Sequence, residues 1–439
     1  MASRKLTGFG KAIIALLLVV PGAIVAEMAF SSYHTKEKVT KALEITNPFS
    51  TGFRLTNKTH LASILVSRGE FDVNYENRCN GEFEQIAKVS YAIKHVPFSK
   101  DQIEFTATPS RSVSSRVYFD TPQDEVFLIR GSGSIDSLGD IDTSFESAPV
   151  KWVNGESGDF YNLAKFQGTY NAQGRPDRNI VAVSREVIAS TDAGEKAAQV
   201  FTVNAKINKS NAASFTFGVS AEKVKSQTFF AKSTSIVISS EVEDNSVSIK
   251  SSLTSELISY QGNPLERIAI DSLLNINDTD SFRKLSAIIN STCQGRFVDE
   301  ESRVELRLLA TKIVDGGISL NIQPIAWTGP RGDFNGAFTA TVKKVIDQNT
   351  GLPDFKRGIS INSTLTANSL YQKADFLSEL SNSGFIKENN GFIEMNVIHE
   401  DLVTQINDRK VSVSHFDKND IVKSFAFVDQ YMNMILGVR

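Results

Sequence analysis

The five histidines are the residues of this 439-residue chain best suited to acid–base or metal chemistry. None stands four residues from another, so both the helical i, i+4 spacing of a zinc site and the HExxH pattern are absent. His399 is followed by Glu400 and Asp401, and this polar cluster predicts a solvated loop in preference to a metal site. The five histidines are His34, His60, His95, His399 and His415.

Several short motifs match catalytic patterns only in part. The run Gly131-Ser132-Gly133-Ser134 lacks the lysine of a P-loop and the third glycine of a dinucleotide turn. Ser220 to Lys223 and Ser281 to Lys284 match S-x-x-K, but the S-D-N and K-T-G elements of penicillin-binding enzymes are missing, as is a G-x-S-x-G elbow. The sequence therefore predicts a protein that is not an enzyme and that uses no cofactor.

Two acidic clusters offer the oxygen ligands that calcium prefers. They are Asp140-Ile141-Asp142 and Asn277-Asp278-Thr279-Asp280. Neither has the glycine and distal glutamate of an EF-hand. The second cluster precedes a helical pattern, so it predicts a helix N-cap rather than a metal site.

Charge excludes one class of partner. The chain has 47 basic and 50 acidic residues, and its net charge is −3. A nucleic-acid-binding protein needs a basic excess to neutralise phosphates, so nucleic acid is not an expected partner. Hydrophobic residues make up 41% and charged residues 22%, which is typical of a globular protein.

The N-terminal segment predicts export. Arg4, Lys5 and Lys11 precede an uncharged run from Ala12 to Ala26, which extends to Phe30 if Glu27 is tolerated. Nineteen helical residues span roughly 28 Å, about one hydrocarbon core, and the positive flank places the N-terminus in the cytoplasm. A signal peptide cleaved after Ala26 is the alternative. We expect residues 1–32 to be a cytoplasmic tip and an uncleaved anchor.

The only two cysteines are far apart in sequence. Cys79 and Cys293 could pair in an oxidising compartment, where they would close a long loop. They could equally be two small buried hydrophobic residues. The sequence leaves both alternatives open.

Alternation with a period of two dominates the chain up to about residue 254. It predicts antiparallel strands with one buried and one polar face. The alternating apolar residues include Phe71, Val73, Val89, Tyr91, Ile103, Phe105, Phe201, Val203, Phe215, Phe217, Ile236, Ile238, Val247 and Ile249.

From residue 255 onward, helical patterns mix with strands. Helices are expected over 281–289, over 300–314 with a stop at Gly316 and Gly317, over 367–380 and over 418–436. Strands are expected at 318–322, 334–342, 391–397 and 410–413. The predicted fold class is therefore α+β, mostly antiparallel β, with a β-rich region over 33–254 and an α+β region over 255–439.

The last predicted helix carries an apolar stripe. Its spacing of four and three residues predicts one face that must be buried. It could dock on the protein's own sheet, or it could contact a second copy or another envelope protein. The stripe consists of Ile421, Phe425, Val428, Met432 and Ile435.

The layout resembles the YdgA-like family of Gram-negative envelope proteins, a family of unknown function. The resemblance covers residues 10–415 and rests on motifs taken in order, after the anchor and its stem. They are Asn47-Pro48-Phe49-Ser50-Thr51-Gly52, His95-Val96-Pro97-Phe98, Asn275-Ile276-Asn277, the run 318–342 with Gly332, and Ile406-Asn407-Asp408-Arg409-Lys410-Val411. Val96 and Asp408 stand where the family has glycine. The resemblance implies a β-rich protein of the periplasm, held at the bacterial inner membrane by a single span.

Two functions follow as hypotheses. The first is a structural or interaction protein of the cell envelope that works through its surfaces. The second is a carrier that holds a lipid or another apolar ligand on a curved β-sheet. An apolar concavity would favour the carrier, because monomers seldom leave large apolar patches exposed.

Overall fold

The computed structural model describes residues 53–411 except for short internal segments. Those segments are 62, 64–65, 78–81, 95–99, 115–116, 120–125, 136–140, 154–159, 173–176, 192–193, 209–213, 292–299, 344, 346–354, 374–380, 383 and 402. The predicted anchor, both cysteines and the predicted C-terminal helix lie outside the described residues. The chain divides into two compact units, one up to Ser233 and one from Thr234.

The first unit is built from thirteen strands in the described residues. They are β1 (Phe53–Leu61), β2 (Val66–Asn77), β3 (Glu82–Lys94), β4 (Asp101–Pro109), β5 (Val117–Phe119), β6 (Ile129–Ile135), β7 (Ile141–Ser147), β8 (Val150–Val153), β9 (Phe160–Leu163), β10 (Phe166–Ala172), β11 (Asp177–Thr191), β12 (Gly194–Asn208) and β13 (Phe215–Lys225). One short helix, α1 (Arg111–Ser114), follows β4.

Neighbouring strands of this unit pair antiparallel. The order is β1-β2-β3-β4-β6-β7-β10-β11-β12-β13. Strands β5, β8 and β9 pair in that order, and β9 pairs with the part of β11 that β10 does not reach. The predicted alternation is confirmed, because Phe71, Val89 and Ala107 stand opposite one another on three successive strands and are buried. Their face forms one continuous core that runs on through Phe145, Phe166, Tyr170, Ile180, Phe201 and Val203.

Strand glycines make room for aromatic rings in this core. Gly69 stands opposite Tyr91, and Gly131 stands opposite Phe105. A Cβ on Gly131 would come within 2.5 Å of the Phe105 ring. A glycine that accepts the ring of its cross-strand neighbour is a known device for stabilising sheets. The glycine-rich run at 131–134 therefore serves packing within a strand.

The second unit is also built from antiparallel strands, and we refer to its paired strands as the second sheet. Its strands are β14 (Phe229–Val242), which crosses the boundary between the units, β15 (Val247–Tyr260), β16 (Asn263–Ile276), β17 (Ile318–Gly329), β18 (Gly332–Val342), β19 (Ile359–Asn368), β20 (Lys387–Asn389), β21 (Phe392–Glu400), β22 (Val403–Ile406) and β23 (Arg409–Val411). Pairing follows the order β15-β16-β17-β18-β19-β21-β22-β23, and β20 pairs with the start of β21.

Two helices interrupt the strands at the expected places. They are α2 (Thr279–Ser291) and α3 (Glu300–Gly316), so the predictions over 281–289 and 300–314 are confirmed. Gly317 follows α3 with a φ of 94°, a left-handed conformation that favours glycine at a helix end. A single turn of helix, α4 (Phe355–Gly358), precedes β19.

The helix predicted over 367–380 is wrong where the structure describes it. Ala367 and Asn368 end β19, and Ser369–Lys373 forms a 3-10 turn. Ala367 is fully buried between Phe334 of β18 and Ile393 of β21. Pairing on both edges of the strand decides its conformation, which local helix propensity cannot foresee.

Candidate apolar binding face

One face of the second sheet carries no charged side chain across five strands. The register of β15 to β19 sets its side chains in three rows. The rows are Ile249-Leu274-Leu320-Ala340-Ile361, Ser251-Ser272-Ile322-Phe338-Ser363 and Leu253-Ile270-Ile325-Gly336-Leu365. We call these residues the apolar face.

The opposite face of the same strands is polar. Ser248 donates a hydrogen bond of 2.8 Å to the Asn275 side-chain oxygen, and the Asn275 amide donates to Ser319 at 3.4 Å. Lys250 forms an exposed ion pair with Glu241 of β14. Asn321, Thr339, Asn362 and Thr364 continue this surface. The sheet is therefore amphipathic.

Buried clusters cover both ends of the apolar face. At one end Phe282 and Leu285 of α2 and Ile313 of α3 pack around Val247 and Ile276. At the other end Ala367, Phe385, Ile393 and Ile406 are buried together, with Leu365 packed against them. The covered ends hold the strands between them in place.

The centre of the apolar face belongs to neither cluster. Leu253, Ile270, Ile322 and Phe338 are half-buried there. On β14, Thr234 bonds to Ser255 of β15, and two residues further along the same side Ile236 is 45% exposed. The centre thus keeps apolar side chains partly accessible to solvent.

Hydroxyl groups on and beside this face bond to each other. Ser251 and Ser272 oxygens lie 2.6 Å apart across β15 and β16, and Thr234 and Ser255 oxygens lie 2.9 Å apart. Because these hydroxyls already have partners, hydrocarbon can lie on them without breaking a hydrogen bond.

Among the described residues, His399 pairs with Ile361 of the apolar face and carries no charge at pH 7. His399 Nδ1 lies 2.8 Å from the Thr404 hydroxyl, and burial lowers the pKa of His399 below its usual value. The imidazole is therefore neutral at pH 7 and adds no charge to the extended row that runs from Ile361 to Thr404.

The size of the apolar face suits a hydrocarbon chain. Five strands at about 4.8 Å spacing make it roughly 19 Å wide, and three rows at about 6.8 Å make the whole face roughly 14 Å long. An acyl chain that fills one leaflet extends about 15 Å, half of a 30 Å hydrocarbon core. The face matches one chain, or one apolar helix, in size.

A polar cleft of about 380 Å³ lies where α2 begins and α3 ends. Asp278 caps α2 there, since its carboxylate accepts the Ser281 N–H at 2.9 Å, and this bond holds the pKa of Asp278 below its usual value. The N-cap predicted from residues 277–280 is confirmed. Lys312 and Asp315 of α3 complete a charged lining, which is unsuited to an apolar ligand.

The two described histidines have structural partners. His60 Nδ1 lies 2.9 Å from the Tyr91 hydroxyl, and His399 contacts Thr404. Next to His399, Glu400 forms an exposed ion pair of 2.7 Å with Lys343. His34, His95 and His415 lie outside the described residues. Among the described residues, no group of three or more His, Cys, Asp and Glu is arranged to hold a metal ion.

The S-x-x-K match on β13 is not brought together. Ser220 and Lys223 stand three residues apart on β13, so their side chains leave opposite faces of the strand. Ser281 lies in the first turn of α2, where its backbone N–H donates a hydrogen bond to the Asp278 carboxylate. Asp142 is exposed on β7, and Asp140 is outside the described residues.

The predicted disulfide and the predicted interface stay predictions. Cys79, Cys293 and the stripe of Ile421, Phe425, Val428, Met432 and Ile435 lie outside the described residues. Reasoning from the sequence missed the apolar face as a unit. Its signal was present as alternation in 247–253, 268–276, 318–322 and 334–342, but strand register was needed to align these segments.

The chain matches no protein-family model, and no match is found among curated proteins or solved structures. No helix within residues 53–411, as far as they are described, is long and apolar enough to cross a bilayer. The predicted span over residues 12–30 lies outside that part of the chain.

Proposed function

We propose that this protein is anchored at the bacterial inner membrane by residues 12–30 and binds the hydrocarbon chain of a lipid on its apolar face, in the periplasm. The observation that carries the proposal is the half-buried, uncharged centre of that face, around Ile270, Ile322 and Phe338. The envelope location rests on the basic and apolar pattern of the N-terminus and on the resemblance to the YdgA-like family.

The chemistry of the face supports hydrocarbon as the bound group. A headgroup or a peptide backbone would need hydrogen-bonding partners, whereas Ser251 and Ser272 already bond to each other. A hydrocarbon chain needs none, and it gains about 25 cal/mol for each Å² of apolar surface removed from water. The free energy of binding therefore comes mainly from apolar contact.

The structure of the first unit supports a second candidate function, in which the protein is a structural or interaction protein. Its core is filled by buried aromatic residues such as Phe71, Phe105 and Tyr170. A core packed with aromatic side chains is poorly suited to hold a ligand, so this unit would act through its outer surface. Phe83, which is 58% exposed beneath the Arg54 guanidinium, lies on that surface.

Labelling with a photoreactive palmitate tests lipid binding. The full chain is reconstituted in phosphatidylethanolamine and phosphatidylglycerol vesicles, irradiated with a diazirine-bearing palmitate and digested for mass spectrometry. We expect adducts on peptides that contain Leu253, Ile270, Ile322 or Phe338. Adducts confined to residues 1–32 would show that the probe met only the anchor and would contradict lipid binding by the sheet.

A matched pair of variants makes this test specific. Phe338→Asp puts a charge on the apolar face, and burial of that charge against hydrocarbon should lower labelling at least about tenfold, which corresponds to 1.4 kcal/mol. Thr339→Asp puts the same charge on the exposed opposite face of the same strand and should leave labelling unchanged. Equal labelling of both variants would remove the apolar face as the binding site.

A further inference from the structure

The C-terminal segment has the chemistry to cover the apolar face. Its stripe of Ile421, Phe425, Val428, Met432 and Ile435 is uncharged, and so is the apolar face. The sequence predicts that this stripe lies along one side of a helix. We infer that this stripe docks on the apolar face of the same chain. This docking rests on the face that we propose for lipid binding, so the stripe and the lipid would compete for the same surface.

The last described residue before the segment is in line with a row of the apolar face. Val411, the last residue of β23, pairs with Thr404, which pairs with His399. The same row continues through Ile361 to Ala340, which belongs to the apolar face. The connection to the segment therefore starts from a row of the face that the segment would cover.

The distances allow docking within one molecule. Four strand spacings of about 4.8 Å separate β23 from β18, roughly 19 Å in all. Residues 412–420 connect Val411 to Ile421, and nine residues reach up to about 30 Å when extended. The connection is thus long enough to bring Ile421 above β18 without disturbing β23.

The dimensions of the stripe match those of the face. From Ile421 to Ile435 a helix rises about 21 Å, at 1.5 Å for each of fourteen residues. The five strands of the face measure roughly 19 Å across. A helix laid across the strands would therefore cover Leu253, Ile270, Ile322 and Phe338 together, the residues that neither buried cluster includes.

Site-specific photocrosslinking tests this docking. Benzoylphenylalanine replaces Phe425 in the full chain, reconstituted in vesicles of phosphatidylethanolamine and phosphatidylglycerol, and crosslinked peptides are identified by mass spectrometry. We expect links from position 425 to β15–β18 in the same molecule. Gln430 lies about 180° from Ile421 on a helix, so the same probe at Gln430 should give at least fivefold fewer links.

Each outcome decides the inference. Links from position 425 that reach a second copy, or that miss β15–β18, overturn it. Links of equal yield from positions 425 and 430 also overturn it, because they show a segment without a preferred face. If Phe338→Asp lowers the yield from position 425 at least fivefold while Thr339→Asp leaves it unchanged, the docking site is supported.

Deletion of residues 418–439 separates this inference from lipid binding. If the stripe covers the face, the deletion should raise palmitate labelling of the sheet severalfold. If position 425 crosslinks to the face but the deleted chain takes up no palmitate there, docking stands and the proposed function fails. If palmitate labels the face equally with and without the segment and position 425 gives no links, docking fails and lipid binding stands.

Discussion

The Tyr91 ring lies across Gly69 and brings its hydroxyl within 2.9 Å of His60 Nδ1 on the next strand but one. His60 and Tyr91 each stand opposite Gly69 in the register, on either side of it. The two rings stack at 6.0 Å between centroids. Because Gly69 has no side chain, the Tyr91 ring can reach across three strands and fill this part of the first unit's core.

Gly69→Ala should destabilise the first unit. A Cβ at this position would stand 2.6 Å from the backbone oxygen of Thr59 and closer still to the Tyr91 ring. Overpacking of this kind costs about 1–3 kcal/mol, which lowers the midpoint of thermal unfolding by several degrees. Gly336→Ala is the control, because its nearest neighbour, the Thr364 oxygen, is 3.4 Å away. Equal melting of both variants would contradict the close packing at Gly69.

Stability should fall at alkaline pH because of Tyr91. Burial raises the pKa of Tyr91 to about 12 in the folded protein, against about 10 when unfolded. The unfolded chain loses this proton first, so stability is complete below pH 10 and declines as the pH rises from about 10 to about 12. Denaturation at a series of pH values measures this decline. Tyr91→Phe should be less stable at pH 7, by about 1 kcal/mol for the lost hydrogen bond, and its decline should be shallower.

Asp278→Ala should weaken the start of α2. The Asp278 carboxylate accepts the Ser281 N–H, and loss of an N-cap costs about 1 kcal/mol. Since the pKa of Asp278 is lowered in the folded state, its contribution is present above the unfolded value near 4 and disappears as the pH falls through the folded value. Asp280→Ala removes a charge from the same turn without removing the cap. If both variants lose the same stability at pH 7, the cap contributes nothing of its own.

Membrane fractionation tests the anchor. We expect the full chain to remain in the membrane pellet after alkaline carbonate washing, because residues 12–30 are long and apolar enough to span. A chain that begins at residue 33 behind a cleavable export signal should appear in the soluble periplasmic fraction. A mature N-terminus at Glu27 in that fraction, from the unaltered chain, would favour a cleaved signal peptide instead.

Local pattern was enough to predict many of the longer strands and two helices. Alternation at Phe71, Val73 and Tyr75 predicted β2, and Asp278 before an apolar repeat predicted the start of α2. These features depend on neighbours within a few residues, where periodicity and capping act. The strand at 359–368 was missed altogether, and its last residues were predicted as helix, because pairing with β18 and β21 is not local.

Register explains why the apolar face could not be predicted. Ile322 pairs with Phe338, but the register shifts between Ile322 and Ile325, so that Ile325 faces Gly336. A single-residue shift reverses which face a side chain occupies. Pro324 lies between these two residues, and proline within a strand is typical of a bulge, but it does not tell which strands pair or in what register. The sequence therefore predicted a carrier only as an alternative, without residues for its site.

The short strand β23 has a consequence for solubility. It is three residues long, within the described residues it pairs only with β22, and Arg409 and Lys410 are exposed on it. A brief, positively charged edge strand discourages another sheet from adding to it, whereas a long apolar edge invites aggregation. At β23 the backbone edge of the described strands therefore resists growth into fibres.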